Sequence, residues 1–152
     1  MGVVVPIRLV IVPLAVLCAV GPGSAIAQRS DSLPPAIAAA FRQAYADARI
    51  LNVSRERREG KVVYEIESQD GPTRRDLIYD LTGHVLEIEE MIPADSVPAA
   101  VRAALERDVP GATLVGAERV TRGTVILYEV EARKGGGKSK YLTYDPDGAR
   151  KE

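Results

Sequence analysis

The stretch Tyr64-Glu65-Ile66-Glu67 returns 64 residues later as Tyr128-Glu129-Val130-Glu131. The match runs well beyond these four positions. With Leu33-Pro34 laid over Val97-Pro98, Ala36 meets Ala100, Ile37 meets Val101, Ala40 meets Ala104 and Phe41 meets Leu105. Ile50-Leu51 meets Leu114-Val115 at the same offset. After Gly71 and Gly135 the second copy gains one residue inside its Gly-rich turn, and the offset becomes 65. Leu77-Ile78-Tyr79-Asp80 then meets Leu142-Thr143-Tyr144-Asp145, and Gly83 meets Gly148. A correspondence held over about 55 residues with one insertion, placed in a turn, is a tandem duplication. The chain must therefore fold as one small unit made twice.

Each unit opens with a helix. In the first, Ile37, Ala40, Phe41, Ala44 and Tyr45 fall on the i, i+3, i+4, i+7, i+8 stripe that buries one helical face. Ser32 is the expected N-cap, with prolines tolerated in the first turn, where N–H groups lack helical partners. The second helix repeats the pattern with Val97, Val101, Ala104 and Leu105 inward and Ser96 as its expected cap. It should stop at Asp108, because Val109 precedes Pro110 and Gly111 follows. Strands are expected over 50–58, 61–69, 73–80 and 84–89, and over about 114–122, 124–134 and 138–145 with a stub near 149–152, linked by tight turns. Alternation sends Tyr64 and Ile66 to one face and Glu65 and Glu67 to the other. The apolar face has only the unit's own helix to pack on. The fold class is thus α+β, a helix followed by a four-stranded antiparallel sheet, α-β-β-β-β, twice. A unit of this size without a disulfide is marginal alone, so the copies are expected to dock or to extend one sheet.

The first 27 residues read as a secretory signal peptide: Arg8, an apolar run from Leu9 to Val20, then Ala25-Ile26-Ala27 before Gln28. The run is too short to span a bilayer and is broken by Pro13. Leu17, not a small residue, precedes Cys18, which argues against lipidation there. Residues 28–32 form a flexible start, 33–90 the first repeat, 91–95 a linker and 96–152 the second repeat. Cleavage removes the single cysteine and leaves a chain without disulfides for an oxidising compartment, periplasmic or extracellular. It also leaves 19 cations against 21 acids, a net charge of −2, which excludes the globally basic surface of a nucleic-acid binder. No membrane span is expected after cleavage, and the oligomeric state stays open.

Catalytic chemistry finds little support. His84 is the one histidine and directly follows a turn glycine, where a solvent-facing residue is expected. Ser54, Ser68, Ser96 and Ser139 have no local base and no nucleophile elbow. Asp145-Pro146-Asp147-Gly148 lacks the distal ligands of a calcium loop and, like Asp80-Leu81-Thr82-Gly83, suits a tight turn. Gly135-Gly136-Gly137-Lys138-Ser139 lacks the spacing of a phosphate loop and opens a strand. No cofactor or metal is implied. Glu65, Glu67, Glu129 and Glu131 are expected on the outer sheet face, ion-paired with Arg55, Arg57, Arg74, Arg75, Lys138 and Lys140 on neighbouring strands. Val63, Ile78, Val125, Leu127 and Tyr141 fall on that same face. Apolar residues interleaved with Glu and Arg are what a protein-binding sheet presents.

Leu33-Pro34-Pro35-Ala36-Ile37, the hairpin strand VVYEIE and LIYDLTGHVLEIE resemble the PepSY-like, β-lactamase-inhibitor-like family. The second copy resembles it too, in VPAAVRAAL, VPGA at 109–112, YEVE and YLTYDPDG at 141–148. The first copy departs from the pattern in lacking the Pro-Gly after its helix and an acidic residue before Gly83. The resemblance covers residues 33–152 and implies a secreted or periplasmic non-catalytic module. It implies a protein partner, met by a sheet face as in tandem-unit enzyme inhibitors, with no inhibitor's contact loops carried over. The expected function is binding of an unidentified protein through the outer face, with inhibition of an envelope or secreted enzyme as its sharper form. A sensor or accessory domain binding a small ligand, peptide or cation is the alternative.

Overall fold

The computed structural model describes residues 33–151; the expected signal peptide, the expected flexible start at 28–32 and the expected cap Ser32 lie outside them. Helix α1 (Pro35–Ala44) is followed by β1 (Arg49–Arg58), β2 (Lys61–Asp70), β3 (Thr73–Asp80) and β4 (Val85–Met91). A 3-10 turn at Ala94–Ser96 leads to α2 (Ala99–Asp108), β5 (Thr113–Arg122), β6 (Val125–Arg133), β7 (Lys140–Tyr144) and β8 (Arg150–Lys151). All strands belong to one antiparallel sheet in the order β1 to β8. The repeats therefore extend a single sheet, joined where Ile88–Met91 of β4 pairs with Glu118–Thr121 of β5. The four-stranded pattern is not exact: in the second unit the last strand, expected as a stub near 149–152, is the two-residue β8, paired to Thr143 and Tyr144.

Both helices lie on the same side of this sheet. Ile37 and Phe41 of α1 pack on Ile50, Ile66, Leu77 and Tyr79. Val101, Ala104 and Leu105 of α2 pack on Ala117, Val130, Leu142 and Tyr144. Directly opposed residues of antiparallel strands share a face, so the pairs Leu77–Ile88, Ile88–Thr121 and Thr121–Ile126 carry the helix side across the junction. The two apolar clusters remain separate.

The duplication extends to irregularities. β1 skips Leu51 between Ile50 and Asn52, and β5 skips Val115 between Leu114 and Gly116, a bulge at matching positions. Each turn after the third strand of a unit is closed by its aspartate: Asp80 Oδ1 accepts from the Thr82 and His84 N–H groups, and Asp145 Oδ1 from that of Ala149. Helix capping differs from expectation. Pro34 and Pro98 occupy the N-cap positions without a side-chain bond. Ser96 sits in the 3-10 turn, while the Arg102 guanidinium reaches back to the carbonyls of Asp95 and Val97. α2 ends at Asp108, with Val109 as its C-cap.

A carboxylate-lined concave face

The sheet face away from the helices is assembled row by row from the strand register. One row reads Ser54, Glu65, Ile78 and Glu87, and the next Asn52, Glu67, Asp76, Glu89, Val120 and Leu127. Two further rows are Met91, Glu118, Glu129 and Thr143, then Gly116, Glu131 and Tyr141. Val63, Ile78 and Val120 are 2%, 1% and 4% exposed, although they belong to neither helix-covered cluster. Curling of the sheet accounts for this. Strands lie ~4.8 Å apart and Arg58 lies four residues along β1 from Ser54, which shares the row of Glu87, so in a flat sheet the two Cα atoms would be about 20 Å apart, beyond the reach of both side chains. Yet Arg58 Nη1 on β1 stands 3.5 Å from Glu87 Oε1 on β4. Twisted sheets fold over in this way, and the result is a trough with an apolar floor and acidic walls.

All nine residues expected on the outer face are brought onto this one. Val63 and Ile78 form its floor; Val125 and Tyr141, 53% and 41% exposed, lie near opposite ends of β6, Val125 opposite Arg122 and Tyr141 opposite Glu131. Leu127 is half-buried opposite Val120. Glu65, Glu67, Glu129 and Glu131 line the walls, but their partners differ from expectation. Of the six cations proposed, only Arg74 pairs with one of them, Nη2 to Glu67 Oε2 at 2.8 Å. Arg55 and Arg75 stand opposite Tyr64 and Ser68 on the helix side, where Arg75 donates to Glu90 at 2.6 Å and lies over the Tyr45 ring. Arg57 neighbours the backbone of its own turn, bonding Gly60 O at 3.3 Å. Lys140 pairs with Ala132, also on the helix side, and Lys138 lies in the β6–β7 turn. Glu65 accepts from Ser54 Oγ at 3.2 Å, and Glu131 accepts from Ser139 Oγ and pairs with Arg133 Nη2 at 3.4 Å, a cation outside the expected six. Strand alternation fixes sidedness residue by residue, and the other five cations have the wrong parity or position.

The electrostatics follow from crowding. Burial, then the neighbouring Glu56, push Glu65 up to about 7. Burial, then hydrogen bonding and charge from Glu87, push Glu89 up to about 9. Asp76, Glu118 and Glu129 are also raised, in each case first by burial and then by other carboxylates of the trough. Glu87 goes the other way. Burial would raise it, but hydrogen bonds from Arg122 and Glu89 and the charges of Arg122 and Arg58 outweigh that and hold it low. Paired carboxylates that share a proton split their titrations in this manner.

Sequence reasoning missed Glu56, Asp76, Glu87, Glu89, Glu118, Val120, Arg58 and Arg122. Asp76 and Glu118 had a usable signal, because they oppose Glu67 and Glu129 once hairpin register is counted from the turns. Glu87 and Glu89 had none: the bulge that skips Leu86 sets their parity, and the β4–β5 pairing sets their neighbours. The trough can accept hydrogen bonds and cations over an apolar floor. A shallow depression lined by Arg74, Arg75, Asp76, Glu89, Met91 and Glu118 lies at its middle. His84 is exposed on the β3–β4 turn and its N–H donates to Asp80. Among the described residues no group of His, Cys, Asp and Glu has the geometry to hold a metal ion, and no helix is long and apolar enough to cross a membrane.

The family described as "Putative beta-lactamase-inhibitor-like, PepSY-like" matches this chain twice, over residues 24–87 and 83–149. No curated protein matches it. Among solved structures, the chain is similar to a DUF2874 family protein from Bacteroides uniformis at 17% identity and TM-score 0.64, covering 77% of this chain and 85% of that one. A BLIP-like protein from Bacteroides fragilis is similar at 17% identity and TM-score 0.59, over 77% and 82% of the two chains. A protein from Bacteroides eggerthii, described as periplasmic, is similar at 13% identity and TM-score 0.63, over 78% and 85%. At such identities the likeness is one of fold.

Proposed function

The chain belongs to the PepSY-like, β-lactamase-inhibitor-like family, and from that membership we propose that it is a periplasmic or secreted, non-catalytic module that binds another protein in its concave sheet face. The observation that carries this is an uncovered, curved face in which an apolar floor at Val63, Ile78 and Val120 is ringed by carboxylates. A sheet face left without a helix exposes Val125 beside Arg122 and Tyr141 beside Glu131. Interfaces combine such apolar anchors with a polar rim. The acids outnumber the cations on this face, so the fitting partner surface presents Lys or Arg among apolar groups. Inhibition of an envelope or secreted enzyme is the sharper form of the proposal, supported by the family's description and by the BLIP-like structural neighbour.

The test is affinity capture from the native host's envelope and medium, using the tagged chain, with a variant carrying Glu65→Gln, Glu67→Gln, Glu129→Gln and Glu131→Gln as control. The expected outcome is a stoichiometric protein held by the native chain and lost by the folded variant, which calorimetry with the purified pair then confirms at more than tenfold weaker affinity for the variant. Equal affinity of the two chains for the captured protein removes the concave face from the proposal.

A further inference from the structure

Little holds the two repeats to one another. Each helix has its own apolar cluster, with Ile88 packed against the first and Ile92 against the second. The ladder between them engages only Ile88–Met91 and Glu118–Thr121, extended by the Ile92 N–H to Ala117 O at 3.0 Å. β1–β2 and β5–β6, by contrast, pair along their whole lengths. On the helix side this seam is braced by Glu90, which accepts from Arg75 at 2.6 Å and Arg119 at 2.7 Å. On the concave side Arg122 of β5 reaches Glu87 of β4.

The remaining groups at the seam are like charges. Glu89 on β4 stands opposite Asp76 on β3, with Glu87 two residues away on its own strand. Across the ladder Glu89 faces Val120 directly, and the like charge there is diagonal: Glu118, opposite Met91 on β4 and Glu129 on β6. Glu65 and Glu67 on β2 complete the acidic surround. The cations facing Glu89 are engaged elsewhere: Arg74 with Glu67, and Arg122 and Arg58 with Glu87. One Asp76 oxygen is buried without a hydrogen-bond partner. Opposed side chains on neighbouring strands lie about 5 Å apart, where half-buried like charges repel strongly.

We propose that the β4–β5 seam is a proton-controlled hinge: with Glu89, Asp76 and Glu118 protonated the two repeats hold as one sheet, and their ionisation loosens the seam and widens the trough. The hinge stands on the strand pairing and the charges at the seam, independently of what the concave face binds. The raised titrations of these three groups, with Glu89 at about 9, place the transition on the alkaline side of ordinary carboxylates.

Amide hydrogen exchange of the full chain at pH 6 and pH 9, corrected for intrinsic rates, tests this. Paired amides of Ile88–Met91 and Glu118–Thr121 should lose roughly tenfold or more of their protection at pH 9, while those of Val63–Ser68 and Ile126–Val130 keep theirs. A variant carrying Glu89→Gln and Asp76→Asn should keep the seam protected at pH 9; Glu118→Gln alone should do so in part. Seam protection independent of pH overturns the hinge. So does loss spread evenly over all ladders, or equal loss in the neutralised variants.

Discussion

Tyr79 and Tyr144 occupy equivalent positions, and both side chains are fully buried. Tyr144 donates its hydroxyl proton to Asp108 Oδ2 at 3.1 Å. The residue equivalent to Asp108 is Ala44, and the Tyr79 hydroxyl is left buried with no partner among the described residues. Burial pushes both phenols up to about 12. A buried hydroxyl without a partner costs roughly 1–3 kcal/mol of desolvation, whereas removing one partner of a made bond loses that bond. The same substitution should therefore act differently in the two repeats. Tyr144→Phe is expected to lower the thermal unfolding midpoint by a few degrees, and Tyr79→Phe to leave it unchanged or raise it. Calorimetry of the two variants beside the native chain checks the difference.

At the scale of elements, the turn that ends the third strand of each unit is what seats the helix. Gly83 and Gly148 have φ of 86° and 85°, in the left-handed region. A Cβ there would lie 2.7 Å from Ala36 O and 2.6 Å from Ala100 O, in the first turn of each helix. The absent side chain lets the turn touch helix backbone, and the equality of the two sites follows from duplication. Gly123, in the β5–β6 turn, has φ of 57° and open space where its Cβ would go. Gly123→Ala is expected to cost about 1–2 kcal/mol, the strain of a left-handed residue alone. Gly83→Ala and Gly148→Ala add a backbone clash and should each cost about 3 kcal/mol or more. Urea denaturation of the three variants separates strain from clash.

For the whole molecule, stability must depend on pH in an unusual sense. The carboxyls of Glu65 and Glu89, at about 7 and about 9, titrate above their unfolded values, so the stability they contribute is present in acid and is lost as pH rises through those values. Asp76, Glu118 and Glu129 act in the same direction. Glu87 is depressed, so its contribution is lost only below the ordinary carboxylate range and does not oppose the trend at neutral pH. The unfolding midpoint is expected to be ~5 °C or more higher at pH 5.5 than at pH 9. Scanning calorimetry over that interval checks it, and Glu89→Gln should flatten the alkaline side.

Sequence alone determined the duplication, the α-β-β-β-β unit, the residues under each helix and the side of the sheet on which Glu65, Glu67, Glu129 and Glu131 lie. These are local or periodic properties: a helical stripe at Ile37 and Phe41, an alternation in YEIE, a turn at Asp80 and Gly83, each repeated one unit later. Only the tertiary structure decided that β4 pairs with β5 to make one sheet, that both helices share a side, and that the opposite side curls into a trough. It also decided which carboxylates meet. Pairing across the junction and the curl that brings Arg58 to Glu87 depend on how distant strands approach. No period in the sequence encodes that approach, because it is settled by the packing of both units together.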